Sequence, residues 1–319
     1  MDRNSFLFFA RRLSAPIAQT AAWVYTGRIV FPEGGSVVST LYCIGEVWLC
    51  LSPADAAATL AQAGAFRAQI GGSVAALCTA VTRLGGHAAL LTQLGDDPFG
   101  RRIQRELDAV GIDARHIRFT SEAPTPVCFT DHTDALPYPG AGQNFPPEAL
   151  DTRFLADAAA LHFTTGGLLD SPLRYTHLKA ISAARERGVP VSFAPGLEPA
   201  RWKNDAFLRQ TFFLFLPQAD LVFLTEDELE FLFGSREVRT ALFSLFTGHV
   251  QFVGCVGAHE TWLVTRNDVQ RLETSFPPET VCAQVLTQWM SSKLPLSGIS
   301  RWNPKAIEIS SFVDSTSPA

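Results

Sequence analysis

The chain has 319 residues, 47% of them hydrophobic and 18% charged, a globular composition that excludes a disordered or fibrous protein. A formal net charge of -5 leaves no basic surplus to neutralise a phosphate backbone, which argues against nucleic acid as a partner. No apolar run approaches the roughly 20 residues that span a bilayer, and the run at 212–217 is far shorter, so no membrane partner is expected. Residues 1–40 carry Arg3, Arg11, Arg12 and Arg28 without the apolar centre of a signal peptide. They read as a poorly ordered extension or an upstream start codon, ahead of a targeting leader. Order is expected from Leu41, where LYCIGEVWLCL reads as one buried strand. Residues 52–70 are small and mixed and read as a lid segment. Gly71 and Gly72 open an alanine-rich helix to Arg83, stopped by Gly85 and Gly86. Ala88–Gln93 follows as a strand, and Asp97 and Pro98 start a helix to Val110, Asp as a cap and Pro in the first turn.

A second lid segment is expected at 125–142. Strands are then read at Ala159–Thr164, Val189–Ala194, Leu221–Leu224, Val250–Val256 and Trp262–Thr265, the last turning back as Val269–Leu272. Helices are read between them at Pro172–Arg187, Pro199–Leu216, Glu226–Phe233 and Arg236–Phe246. Alternation of this kind predicts an α/β fold: a mostly parallel sheet covered on both faces, with ligands at the carboxyl ends of its strands. After Phe276 the rhythm fails among prolines and serines, and a helix is read only at Val281–Met290. Cys43, Cys50, Cys78, Cys128, Cys255 and Cys282 form no CxxC pair and mostly sit in apolar runs. They read as buried thiols of a reducing compartment, and the expected location is the cytoplasm. His132, His162 and His177 lack metal-ligand spacing and read as surface or satisfied core histidines.

LGGHAALLTQLGDDPFGRRIQRELDAVGID, from Leu84 to Asp113, resembles the PfkB (ribokinase-like) family of carbohydrate kinases. That family has a glycine pair opening a helix, an LGG turn, a strand and a GDDxFG turn. Here these are Gly71–Gly72, Leu84–Gly86 and Gly95–Gly100. CIGEVWLCLSP, ARERGVPVSFAPGLEPARWK and LVFLTEDELEFLFG are similar to its opening strand, its central strand and loop, and the segment bearing its NxxE motif. The resemblance covers residues 41–276 and is nearest to fructokinase-type sugar kinases. It implies a three-layer α/β/α sandwich with a small β lid, ATP and Mg²⁺ as cofactors, a small sugar or nucleoside as substrate, and pairing through the lid as a homodimer. It also implies roles for particular residues. Gly71 and Gly72 would face the substrate, or merely form a turn before the helix. Thr225, Glu228 and Gly257 would lie near the nucleotide. Glu228 would help hold Mg²⁺, or belong to a solvated acidic helix start. Asp96 and Asp97 read as turn and capping residues.

Against that pattern stand several departures. Cys50 replaces an Asp that binds sugar hydroxyls, and Ala76 an Asn. The DPNxR loop reads Ala194, Pro195, Gly196, Leu197 and Glu198, and Thr225 replaces the Asn of NxxE. Glu260 puts an anion where a glycine is expected. The GAGD motif, source of the anion hole and catalytic base, is absent from the tail 277–319. Counted on from Phe276, its place falls on 283–288, from Ala283 to Gln288, with Glu279 as an acid ahead of it. Losing a positioned base costs roughly 10²–10⁴ in rate, and losing an anion hole on the order of 10²–10³. No catalytic residue is therefore assigned. The readings are a weak or inactive ATP-dependent sugar kinase, a pseudokinase that binds sugar or nucleotide as a regulator, or a damaged gene product.

Overall fold

The computed structural model describes residues 39–234, 238–273 and 276–292, with 298, 307 and 309. The N-terminal extension and most of the tail beyond 292 lie outside the described residues.

The chain enters at β1 (Thr40–Ile44), a fully buried strand. It then leaves the layer through Gly45–Val47 and continues as β2 (Trp48–Pro53) in a different sheet. The single strand expected over 41–51 is thus two. Gly45 marks the step, because a Cβ there would stand 3.0 Å from Val74 Cγ1. The antiparallel partner of β2 is β3 (Phe66–Gly71), which delivers the glycine pair to α1 (Ser73–Arg83). β4 (His87–Gly95) returns to the main layer beside β1. Asp97 caps α2 (Pro98–Ala109) by accepting from the Phe99 and Gly100 amides at 3.0 and 2.9 Å. It also accepts from the Thr125 amide at 2.7 Å, so this capping residue ties the start of α2 to the chain at Thr125.

β5 (Ile117–Thr120) lies beside β4, and β6 (Val127–Thr130) and β7 (Ala135–Tyr138) join β2 and β3. These three short strands carry no alternation long enough to read from sequence. The core strands follow as β8 (Ala158–Phe163), β9 (Val191–Phe193), β10 (Leu221–Thr225) and β11 (Phe252–Val256), with β12 (Thr261–Thr265) and β13 (Val269–Leu272) turning back antiparallel. The intervening helices are α3 (Pro172–Glu186), α4 (Asp205–Phe215), α5 (Glu226–Phe233) and α6 (Val238–Ser244). The helix expected from Pro199 starts later: Asn204 accepts from the Phe207 amide and caps α4, while 199–201 form only a 3-10 turn. The last helix, α7 (Pro278–Ser292), begins earlier than read from sequence.

Among the described residues the sheet order is β13-β12-β11-β10-β9-β8-β1-β4-β5, with a four-stranded sheet β3-β2-β6-β7 beside it. All pairs from β11 to β5 are parallel. Two apolar cores follow. Leu173, Ile181, Phe212 and Leu229 from α3, α4 and α5 cover one face. Val74, Cys78, Ile103, Leu107, Val281 and Val285 from α1, α2 and α7 cover the other. This is the three-layer α/β/α sandwich with a small second sheet. All six cysteines are free and buried.

Candidate functional site

A cavity of about 350 Å³ opens where the strands of the main sheet end. It takes Glu46 after β1, Thr164 after β8, Ala194 and Gly196 after β9, Leu224 at the end of β10, and Pro278, Glu279 and Cys282 from α7. The carboxyl edge of a parallel sheet is where such folds place ligands.

Of the glycine pair, Gly72 lines this cavity and Gly71 closes β3 opposite Trp48. Gly72 has φ 107, and a Cβ on it would lie 2.6 Å from the Glu46 carbonyl oxygen. Glycine is therefore required both for its conformation and for its contact with the β1–β2 link. Ala76 faces the cavity one turn further along α1. Cys50 is placed elsewhere, in a small apolar cluster of the four-stranded sheet with Trp48, Cys128 and Ala135. Burial raises its thiol pKa, so it is an inert core thiol.

Thr225 and Glu228 form a capping box at the start of α5. The Thr225 hydroxyl accepts from the Glu228 amide at 3.2 Å, and the Thr225 amide donates to Glu228 Oε2 at 2.8 Å. Glu228 Oε1 accepts from the Leu197 amide at 2.7 Å, tying α5 to the loop after β9. Glu228 lines the cavity but is buried rather than solvated, and both its oxygens are engaged. The third expected nucleotide residue, Gly257, lies outside the cavity lining. A Cβ there would meet the Glu226 carboxyl carbon at 2.2 Å. Burial, then Glu260 and Asp227, raise the pKa of Glu226. Glu260 itself bonds Trp262 Nε1 and pairs with Arg271.

Three residues with no role assigned from sequence occupy the centre. Arg201, with 11% of its side chain exposed, donates to Glu46 Oε2 at 2.5 Å and to Glu198 Oε2 at 3.2 Å. Burial pulls the guanidinium pKa down, but the two carboxylates raise it overall, so Arg201 stays charged. Burial raises the Glu46 carboxyl pKa, and Arg201 pulls it part of the way back. Gln143 lowers it slightly without reaching hydrogen-bonding geometry on Oε1. Arg201 also lies over the Trp48 ring at 5.3 Å. The sequence signal was present: Glu198 removes a cation from the loop, and Arg201 restores one three residues later. His162 lines the cavity as a neutral ring, bonded to Ser192 Oγ at 2.9 Å and lowered by burial to about 3. His177 is a core histidine between the Leu173 and Ile44 carbonyls.

The last of the three is Glu279. Residues 283–288, where the absent motif was counted, lie in the middle of α7, and 283–287 are buried. The helix N-terminus that reaches the cavity is Pro277–Pro278–Glu279. Prolines at two successive positions supply no N–H, and the Thr280 and Val281 amides already donate to the Pro277 carbonyl. A carboxylate is thus present at the helix start, where four of the five nitrogens from Pro277 to Val281 belong to proline or are already engaged and the Glu279 amide is the remaining one.

A pfkB family carbohydrate kinase profile matches residues 38–282. The chain belongs to that family. Fructokinase-1 of Zea mays is 34% identical over 197 residues, 60% of this chain and 61% of that protein. Fructokinase-2 of Solanum lycopersicum is 30% identical over 213 residues, 65% of each. The matched stretch thus spans less than two thirds of these relatives. Among solved structures, a fructokinase from Xylella fastidiosa has TM-score 0.72 at 22% identity, covering 84% of this chain and 87% of that one. A fructokinase from Vibrio cholerae O395 in fructose, ADP and calcium ion bound form has TM-score 0.71 at 22% identity, covering 83% and 89%. At these identities the structures establish the shared pfkB fold.

Proposed function

We propose that this pfkB protein is a fructokinase-like carbohydrate kinase homologue that keeps a small-sugar cleft and has lost most of its phosphoryl-transfer power. The observation that carries this reading is the proline pair at the cavity end of α7. Transfer of a phosphoryl group depends on positioned donors for developing charge, and two proline nitrogens cannot serve. ATP fits the remaining residues poorly, because Glu226 and Glu260 flank Gly257 on the side expected to meet the nucleotide. Mg²⁺ fits poorly as well. Both oxygens of Glu228 are held by backbone amides. Glu279 is a cavity carboxylate at the start of α7, which leaves room for slow residual turnover.

The test pairs binding with turnover on the purified chain. Fructose raises the melting temperature, while Mg-ATP with fructose gives ADP release far below the 1–10³ s⁻¹ or so of typical enzymes. Release within that range would overturn the proposal. The pseudokinase reading, sugar binding with no turnover, is the limiting case of the same experiment. A lid-mediated homodimer belongs to the proposal too. Phe66, Leu136 and Tyr138 are exposed on the lid, Phe66 and Tyr138 each packing against Phe129. Light scattering of the native chain and of Tyr138→Glu tests it. Cytoplasmic location is likewise proposed, from the buried thiols; no helix among the described residues is long and apolar enough to cross a membrane.

A further inference from the structure

We propose that the ligand carries two sugar units, one in the cavity at the strand ends and a second, neutral one in an outer cavity beside it, where the indoles of Trp48 and Trp202 receive it. This rests on the reading of the first cavity as a sugar site and names the class of sugar, a fructose-containing disaccharide.

The outer cavity, about 820 Å³, lies between Pro137 of β7, Leu169 and Asp170 ahead of α3, and the first turns of α4. Trp48 and Arg201 line both cavities, so the two spaces meet at these side chains. Each has the volume of a site for a small molecule.

The indoles carry the argument. Trp48 is 5% exposed and Trp202 7%, and both line the outer cavity. Neither indole N–H has an acceptor among the described residues, and each nitrogen keeps some accessible surface. Trp262, by contrast, donates to Glu260 Oε1 at 3.0 Å. An indole nitrogen only donates, and a buried one normally finds an acceptor. Two unanswered donors on one cavity call for a ligand that brings oxygen acceptors.

The rest of the lining narrows the ligand further. Phe207 packs against Trp202 with ring centroids 5.7 Å apart and extends the apolar wall. Gln210, exposed on α4, brings an amide that both donates and accepts, as a hydroxyl does. Arg201 is committed to Glu46 and Glu198, which leaves Asp170 and Lys203 to cancel in charge. Aromatic walls, free donors and no net charge suit a neutral sugar ring, with its C–H face and its rim of hydroxyls. Trp202 is outside the lining of the inner cavity, so it meets the second unit alone.

The experiment is titration calorimetry on the full chain at pH 7 with D-fructose and with disaccharides that carry fructose in different linkages: sucrose, turanose, lactulose and isomaltulose. At least one disaccharide binds about tenfold tighter than fructose, the gain of new neutral hydrogen bonds less the cost of ordering a second ring. Trp202→Phe keeps an aromatic wall and removes the N–H. It brings that disaccharide to within about threefold of fructose and leaves fructose itself unchanged. Gln210→Ala, at an exposed site, acts in the same direction and decides the matter if Trp202→Phe does not fold. Disaccharides that all bind no tighter than fructose would overturn the proposal and leave the sugar-site reading standing. A gain that survives both substitutions overturns it as well. Should neither fructose nor any disaccharide bind, both fall.

Discussion

Replacing Arg201 with methionine isolates the electrostatics of the cleft. The guanidinium has 11% of its side chain exposed and its partner Glu46 has 3%, so solvent screens the pair little. Two unit charges about 4 Å apart at an effective dielectric near 20 attract by ~4 kcal/mol. Removing one member of a buried pair costs roughly 3–5 kcal/mol, because the other charge is left buried and alone. Arg201→Met is therefore expected to lose about 3–5 kcal/mol at pH 7, read as a lower urea midpoint with an unchanged m-value. The loss depends on pH in a definite direction. Burial already raises the Glu46 carboxyl above its ordinary value of 4.5, and removing Arg201 raises it further. A group raised in the folded state adds stability in full below its unfolded value and loses it as pH climbs through the folded value. The deficit of the variant is thus smaller near pH 4.5 than at pH 7, and the double change Glu46→Gln, Arg201→Met recovers part of it. A deficit under about 1 kcal/mol at pH 7, or one that does not vary with pH, would refute the reasoning.

Gly72→Ala forces a Cβ to within 2.6 Å of the Glu46 carbonyl at φ 107, and a loss of roughly 2–3 kcal/mol is expected in a thermal melt, with a weakened ligand shift. Gly167→Ala places a Cβ 2.2 Å from His177 Cε1; the ring is fully buried, so overpacking of about 1–3 kcal/mol is expected by denaturant titration. Asp97→Ala removes the cap of α2 and the Thr125 anchor, worth about 2 kcal/mol at neutral pH. Burial raises the Asp97 carboxyl pKa, but bonds from Thr125, Gly100 and Phe99 lower it overall below 3.8, so the gap between variant and parent narrows as pH falls below that value.

Much of the main layer was legible because its strands are short apolar runs punctuated by capping residues and glycines. Asp97 before Pro98, and Thr225 three residues before Glu228, announce their helices in sequence. Other elements were not legible for physical reasons. LYCIGEVWLCL is apolar throughout, so nothing in its pattern reveals that Gly45 sends β2 into a second sheet. The residues from Thr280 to Thr287 are all buried, so α7 lacks the apolar and polar faces by which a helix is recognised. That hid the start of the helix, which begins at Pro278 rather than Val281. Glu46 and Arg201 were missed because their meeting is a tertiary event, across 155 residues of chain.

Trp48 belongs both to the smaller sheet and to the cavity: it is the first residue of β2, it lines the cavity, and its indole lies beneath the Arg201 guanidinium. A positive charge held over an indole face alters the energy of its excited state, so the position of Arg201 is written into the emission of this tryptophan. Any ligand that draws Arg201 toward or away from Glu46 changes that emission. Among the six tryptophans of the chain, the emission lost in Trp48→Phe thus gauges cleft occupancy with neither turnover nor a labelled ligand.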